Sequence, residues 1–89
     1  MTTRNKQQYR IEFYQSAEVR IDPFEFAWLL SKHEMDVVAK NEVPMLFVQC
    51  REFDVTTFMI DVNRLYGPLI FKQVDVSVPG EGYVDANLI

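Results

Sequence analysis

Apolar side chains occupy every odd position but one between Tyr9 and Ile21, and most of the even positions between them are polar. This period of two is that of a β-strand, whose successive side chains point to opposite faces of a sheet. Strands usually hold about 3–10 residues, so a single straight strand here would be too long. We therefore predict a strand that bends or bulges near Gln15. A hairpin at Gln15–Ala17 is the alternative, although such loops favour a glycine that is absent here.

A first helix is predicted over residues 23–35. Asp22 and Glu25 have the spacing of a capping box, in which each side chain accepts a hydrogen bond from a backbone amide of the first turn. Pro23 would occupy the first helical position, where its missing N–H costs nothing.

A second helix is predicted over residues 55–66. Asp54 can cap its first amides, and Gly67 followed by Pro68 ends it in the expected order. Its apolar residues gather on one side, which is typical of a surface helix that packs on one face. Its many β-branched residues leave a strand as the alternative.

Three more strands are predicted downstream of the first helix. Residues 36–40 and 45–53 have strand character and are joined by a turn at 41–44, which indicates a hairpin. Residues 69–78 form a last strand, and the glycines that follow it open a tail.

The predicted order is β-α-β-β-α-β, which is that of the ferredoxin-like fold: an antiparallel four-stranded sheet with both helices on one face. We predict this α+β architecture for a single domain, residues 1–89, because a chain of 89 residues cannot supply two cores. Residues 1–8 are expected to be a basic flexible N-terminus, and residues 79–89 a C-terminal tail.

The first predicted helix is apolar on two opposite sides. At about 100° per residue, its side chains fall into two groups. One group holds Phe24, Ala27, Trp28, Ser31 and Met35, and the other holds Phe26, Leu29, Leu30 and His33. A helix on one sheet buries a single stripe, so the other stripe is covered either by the rest of the same chain or by a partner. We predict that the partner-binding residues are Phe24, Phe26, Trp28, Leu29, Leu30 and His33.

Charge and composition exclude several classes of protein. The net charge is −4, and beyond the three basic residues of the first ten positions the chain is clearly acidic. Sequence-independent binding to duplex DNA needs many Lys and Arg, so it is not expected. The longest apolar run, residues 26–30, is too short for a membrane span, and no signal peptide is recognised. The single cysteine, Cys50, allows no internal disulfide. We expect a cytoplasmic protein that contacts no membrane.

No catalytic, metal or cofactor site is predicted. His33 is the one side chain whose ordinary pKa suits acid–base chemistry near neutral pH, but at the end of an apolar helix face it is expected to pack or cap. Cys50 lies in a predicted strand and is expected to be a buried, inert thiol.

We therefore predict a non-enzymatic protein–protein interaction module, an adaptor or inhibitor that covers a partner surface and also forms homodimers. Its size and charge resemble those of small inhibitors encoded by viruses or mobile elements. The alternative is a small dimeric ferredoxin-like enzyme of the isomerase or cofactor-free monooxygenase type, with a pocket near His33. A weaker alternative is a sheet that binds single-stranded RNA. That surface would consist of Arg10, Glu12, Tyr14, Phe47, Gln49, Arg51 and Phe53.

Overall fold

The structure, a computed structural model, describes residues 6–17, 21–38, 45–67 and 70–89. It contains five strands, two α-helices and one 3-10 turn. In chain order they are β1 (Gln7–Phe13), the 3-10 turn (Gln15–Ala17), α1 (Pro23–Lys32), β2 (Asp36–Val37), β3 (Met45–Cys50), α2 (Glu52–Tyr66), β4 (Phe71–Val78) and β5 (Gly82–Asp85).

The strands form one antiparallel sheet in the order β2-β3-β1-β4-β5. β1 lies between β3 and β4, with Tyr9 opposite Val48 on one side and Val76 on the other. The prediction of an α+β protein with an antiparallel sheet and two helices is confirmed. The element order differs from the predicted one because a fifth strand follows β4 and pairs with it at the edge of the sheet.

Alternation along β1 and β3 separates a core face from an open face. Tyr9, Ile11 and Phe13 of β1 are buried, as are the even positions 46, 48 and 50 of β3. Both helices cover this face: the ring of Phe26 in α1 lies 5.7 Å from that of Phe13 and 5.6 Å from that of Phe58 in α2. Edge-to-face ring pairs of this kind add to the free energy gained from burial alone.

α1 begins where the sequence predicts and ends earlier. The carboxylate of Asp22 accepts hydrogen bonds from the amides of Phe24 (2.9 Å) and Glu25 (3.4 Å), which confirms its role as the N-cap. The helix stops at Lys32 because Glu34 adopts a left-handed backbone conformation, with φ 54°, and the amide of Met35 returns to the Leu30 carbonyl. Met35 therefore lies beyond the helix, and it is buried in the core.

α2 begins three residues earlier than predicted, so the prediction that Asp54 caps it is wrong. The N-cap is Arg51, and Asp54 stands at the third helical position. From there its carboxylate accepts from the Arg51 amide (3.1 Å) and pairs with the Arg51 guanidinium at 2.7 and 2.8 Å. An Asp at the N-cap accepts hydrogen bonds from amides of the first turn, and an Asp at the third helical position accepts one from the amide of the N-cap residue. The sequence alone does not distinguish these two positions for Asp54.

Segments predicted as irregular contain regular structure, and two predicted strands are shorter. Residues 7 and 8 belong to β1 and residues 82–85 to β5, within the segments expected to be a flexible N-terminus and a tail. β1 ends at Phe13, and the 3-10 turn begins two residues later, at Gln15. The strand predicted over residues 45–53 is also shorter: β3 ends at Cys50, because α2 begins at Glu52. Residues 1–5, 18–20, 39–44 and 68–69 lie outside the described residues, and so does the predicted turn at 41–44. Of the far part of the predicted bent strand, positions 18–20 lie there too, whereas Ile21 and Asp22 are described and belong to no strand.

Candidate functional site

The two sides of α1 have opposite environments. Phe26 and Leu29 are buried in the core, and Leu30 and His33 are half-buried beside it. On the other side, 88% of the Phe24 surface and 59% of the Trp28 surface are exposed. The helical residues of α1 thus lie on the two sides that helical spacing predicts, and the side that holds Trp28 is the exposed one.

α2 also has two exposed apolar residues. Phe53 is 68% exposed and Ile60 is 50% exposed. Seven residues are nearly two helical turns, so these two side chains lie on one side of α2, away from its buried residues. Ile60 lies in a groove beside Leu88, so we call only the exposed aromatic residues of α1, Phe24 and Trp28, the outer apolar face. The sequence prediction missed Phe53 because it placed the start of α2 at residue 55. Extending that helix by one turn would have placed Phe53 beside Ile60.

The C-terminal segment does not cover this face. Leu88 packs at the margin of the core, where it lines shallow grooves along α2 with Thr56, Met59, Ile60, Asn63 and Phe71. The apolar C-terminal residues therefore dock within the chain but leave the α1 side of the helix layer exposed.

His33 joins the two helices through a polar cluster. Its Nε2 lies 2.8 Å from Oδ2 of Asp61, and its Nδ1 lies 2.9 Å from Oγ1 of Thr57. Thr57 and Asp61 are four residues apart in α2, so both reach the same side of the helix. Lys32 also donates to Asp61, at 3.1 Å. The hydrogen bonds from His33 and Lys32 hold the pKa of Asp61 below its ordinary value.

A threonine, a histidine and an aspartate joined by hydrogen bonds through the histidine have the composition of a nucleophile, a base and its orienting acid. The geometry indicates a structural role instead. The Thr57 hydroxyl also donates to the Asp54 carbonyl, at 3.1 Å, and the His33 side chain is only 11% exposed. The cluster connects α1 to α2.

On the open face of the sheet, Arg10 forms an ion pair with Asp75. Nη2 and Nε of Arg10 donate to Asp75 at 2.8 and 3.2 Å, and Gln73 donates to the other carboxylate oxygen at 2.9 Å. The guanidinium also lies 4.8 Å from the centre of the Tyr83 ring, which stands 6.0 Å from the ring of Phe47. Burial raises the pKa of Asp75, but the hydrogen bonds from Gln73 and Arg10 outweigh it and leave that pKa below its ordinary value.

This pairing bears on the RNA-binding alternative. Arg10 is already neutralised by Asp75, and its guanidinium occupies one face of the Tyr83 ring. Arg51 and Phe53, which the sequence placed on the same surface, lie at the start of α2 instead. In the described part of the sheet, the Arg10 charge is thus engaged by Asp75, and Arg51 and Phe53 do not belong to this face.

Cys50 is buried at the end of β3, as the alternation predicts. Burial, with the nearby charge of Asp54, raises the pKa of its thiol to about 12. A thiol protonated to that extent is a poor nucleophile at neutral pH.

Within the described parts of the chain, no three His, Cys, Asp or Glu residues are placed so that they could hold a metal ion. None of the helices described here is long and apolar enough to cross a membrane. Comparisons of the chain with protein-family models, curated proteins and solved structures found no match.

Proposed function

We propose that this chain is a non-enzymatic protein–protein interaction module, an adaptor or inhibitor that acts by covering the surface of another protein. One observation carries the proposal: α1 exposes Phe24 and Trp28 together, one turn apart, while the opposite side of the same helix forms the core. Two aromatic side chains directed at solvent add nothing to the core. Aromatic anchors of this kind supply much of the binding free energy at protein interfaces.

The proposal narrows the predicted contact residues. Phe26 and Leu29 hold α1 to the sheet, so they support the surface from beneath. Phe24 and Trp28 are the exposed residues of α1 that a partner can reach. The partner-binding role of this face is a prediction that binding measurements must test.

For the architecture we propose the ferredoxin-like arrangement with one added strand. Three observations support it: α1 follows β1, α2 follows β3, and β1 lies between β3 and β4 in an antiparallel sheet. β5 then extends the sheet beyond β4. This fold hosts many unrelated functions, so the functional proposal does not depend on it.

Trp28→Glu tests the proposal, with Ile89→Glu as the matched control. Both side chains are largely exposed, at 59% and 67%, but Ile89 lies at the C-terminus, away from the outer apolar face. Each variant is used as bait in a pull-down from the native host, with the bound species identified as protein or nucleic acid, and its melting temperature is recorded. We expect both variants to stay folded, and only Trp28→Glu to lose a protein that the wild type binds.

The proposal fails if the bound species is nucleic acid. It also fails if a folded Trp28→Glu variant captures the same protein as strongly as the wild type does.

A further inference from the structure

We infer that protonation of His33 releases Lys32 from Asp61 and thereby uncovers the ring of Trp28, so that acid increases the exposure of this side chain. The inference goes beyond the proposed function, because it concerns the chain alone and is measured without a partner. It rests on one carboxylate oxygen, Oδ2 of Asp61, which contacts both His33 and Lys32.

Lys32 connects the exposed side of α1 to the His33 cluster. Its ammonium donates to Oδ2 of Asp61 at 3.1 Å and also lies 5.2 Å from the centre of the Trp28 ring. Trp28 is four residues before Lys32 in α1, and helical side chains point back toward the N-terminus, so the lysine reaches over the indole. A cation–π contact at an exposed position is weak by itself. The contact with Asp61 therefore helps to hold the ammonium over the ring.

The hydrogen bonds around His33 define where its protons lie. An ionised carboxylate only accepts hydrogen bonds, so Nε2 of His33, 2.8 Å from Asp61, carries a proton. The other ring nitrogen, Nδ1, faces the hydroxyl of Thr57. This hydroxyl has one proton and two acceptors within reach, Nδ1 at 2.9 Å and the Asp54 carbonyl at 3.1 Å.

Both charge states of the imidazole satisfy these hydrogen bonds. In the neutral ring, the Thr57 hydroxyl donates to Nδ1. In the protonated ring, Nδ1 donates to the Thr57 oxygen, and the hydroxyl donates to the Asp54 carbonyl instead. His33 therefore has a place for a second proton that costs no hydrogen bond and needs no movement of the ring. Histidine side chains ordinarily take up this proton between about pH 8 and pH 5.

Protonation then changes only the charge of the cluster, and the neighbouring charges decide its effect. The charged side chains at this contact of the helices are Lys32 and Glu34, from α1 and the residues after it, and Arg51, Asp54, Asp61 and Arg64, from α2 and its cap. Asp54 is already paired with Arg51 at 2.7 Å, and Arg64 is 4.0 Å from the other oxygen of Asp61. Asp61 is thus the carboxylate that the imidazole contacts directly.

A protonated His33 places two cations on one oxygen. Nε2 of His33 lies 2.8 Å and Nζ of Lys32 lies 3.1 Å from Oδ2 of Asp61, and like charges this close repel each other. The imidazole is held through both nitrogens and its side chain is only 11% exposed, whereas the Lys32 side chain is 47% exposed. Lys32 is therefore the group that leaves, because an exposed ion pair contributes little and the ammonium regains water. The Trp28 ring then loses its cover.

Intrinsic fluorescence provides a direct test, because Trp28 is the only tryptophan and His33 the only histidine. The emission of the full chain and its quenching by acrylamide are recorded from about pH 8 to about pH 5.5, above the range in which carboxylates ordinarily titrate. As the pH falls, we expect the quenching constant to rise and the emission to move to longer wavelength, since the ring gains contact with water.

Three variants assign the transition to these side chains. His33→Gln removes the titrating imidazole, and Lys32→Ala removes the cation over the ring. Lys72→Ala is the matched control, because Lys72 is also an exposed lysine in an ion pair, with Glu12 at 3.6 Å, but lies on the sheet. We expect the transition to be lost in His33→Gln and Lys32→Ala and kept in Lys72→Ala. At about pH 8, Lys32→Ala should already be quenched as strongly as the wild type is at about pH 5.5.

Three results would overturn the inference: an emission that does not change over this pH range, a transition that persists in His33→Gln, or one that persists at full size in Lys32→Ala. Thermal melting shows whether each variant is folded, and if His33→Gln is not, the two lysine variants decide the matter. The proposed function is judged separately, by the capture experiment with Trp28→Glu.

Discussion

Leu29 and Phe24 lie on opposite sides of α1, and truncating each to alanine should have very different effects on stability. Leu29 is 1% exposed, and replacing a buried leucine with alanine costs about 2–5 kcal/mol. Phe24 is 88% exposed, so only about an eighth of a surface of about 200 Å² is hidden. At about 25 cal/mol per Å², that hidden area is worth about 0.6 kcal/mol.

The difference is large enough to measure by thermal unfolding. A domain of this size has a free energy of unfolding of about 4–13 kcal/mol, and each kcal/mol moves the melting temperature by about 4–8 °C. Leu29→Ala should therefore lower the melting temperature by at least about 8 °C, and Phe24→Ala by less than about 5 °C. Circular dichroism at two protein concentrations separates folding from self-association. Equal shifts, or a larger shift for Phe24→Ala, would refute the assignment of the two sides.

The remaining predictions concern pH, two single side chains and assembly. Asp54 and Asp75 have a lowered pKa in the fold, so their stabilisation is complete above the ordinary value of 3.8 and is lost as the pH falls below about 4; a urea midpoint that is unchanged at pH 3 would contradict this. Cys50 has a raised pKa, so its contribution to the free energy of unfolding is complete below the ordinary value of 9.0 and is lost as the pH rises toward about 12. In Cys50→Ala, this loss of stability should be absent from the alkaline unfolding curve. His33→Ala and Cys50→Ala should each cost about 0.5–3 kcal/mol and keep partner binding; loss of binding in a folded variant of either would favour an enzyme-like site. Light scattering at micromolar concentration should give at least twice 10.5 kDa, and a mass near 10.5 kDa would refute self-association.

Local chemistry made the start of α1 predictable from the sequence. The strand near the C-terminus, β5, was not predicted. Asp22 and Pro23 specify the start of α1 through backbone hydrogen bonding alone, which requires no knowledge of the rest of the fold. β5 is only four residues long and gains its regularity from pairing with β4, a contact that local propensity does not report. Its sequence signal was the turn before it: Gly80 and Gly82 both have positive φ, a conformation that favours glycine.

The sequence predicted which residues of α1 share a side of the helix, but not which of the two sides is exposed. Helical spacing separates Trp28 from Leu29 with certainty, because they are neighbours in the chain and lie about 100° apart. Both sides are apolar, so the pattern does not say which one meets the sheet. The contact of His33 with Asp61 joins residues 28 positions apart, and only the packing of α1 against α2 brings them together.

The central place of β1 has a consequence for the order of events during synthesis. β1 precedes the other described strands in the chain, yet its neighbours are β3 and β4, and Arg10 meets Asp75 across 65 positions of the chain. Until β4 has left the ribosome, one edge of β1 has no partner. Such distant pairings form slowly, because a long loop must close before any contact rewards it. Before β4 is made, therefore, β1 can pair along one edge only, with β3, and β4 is the element that completes the pairing of β1 on both sides.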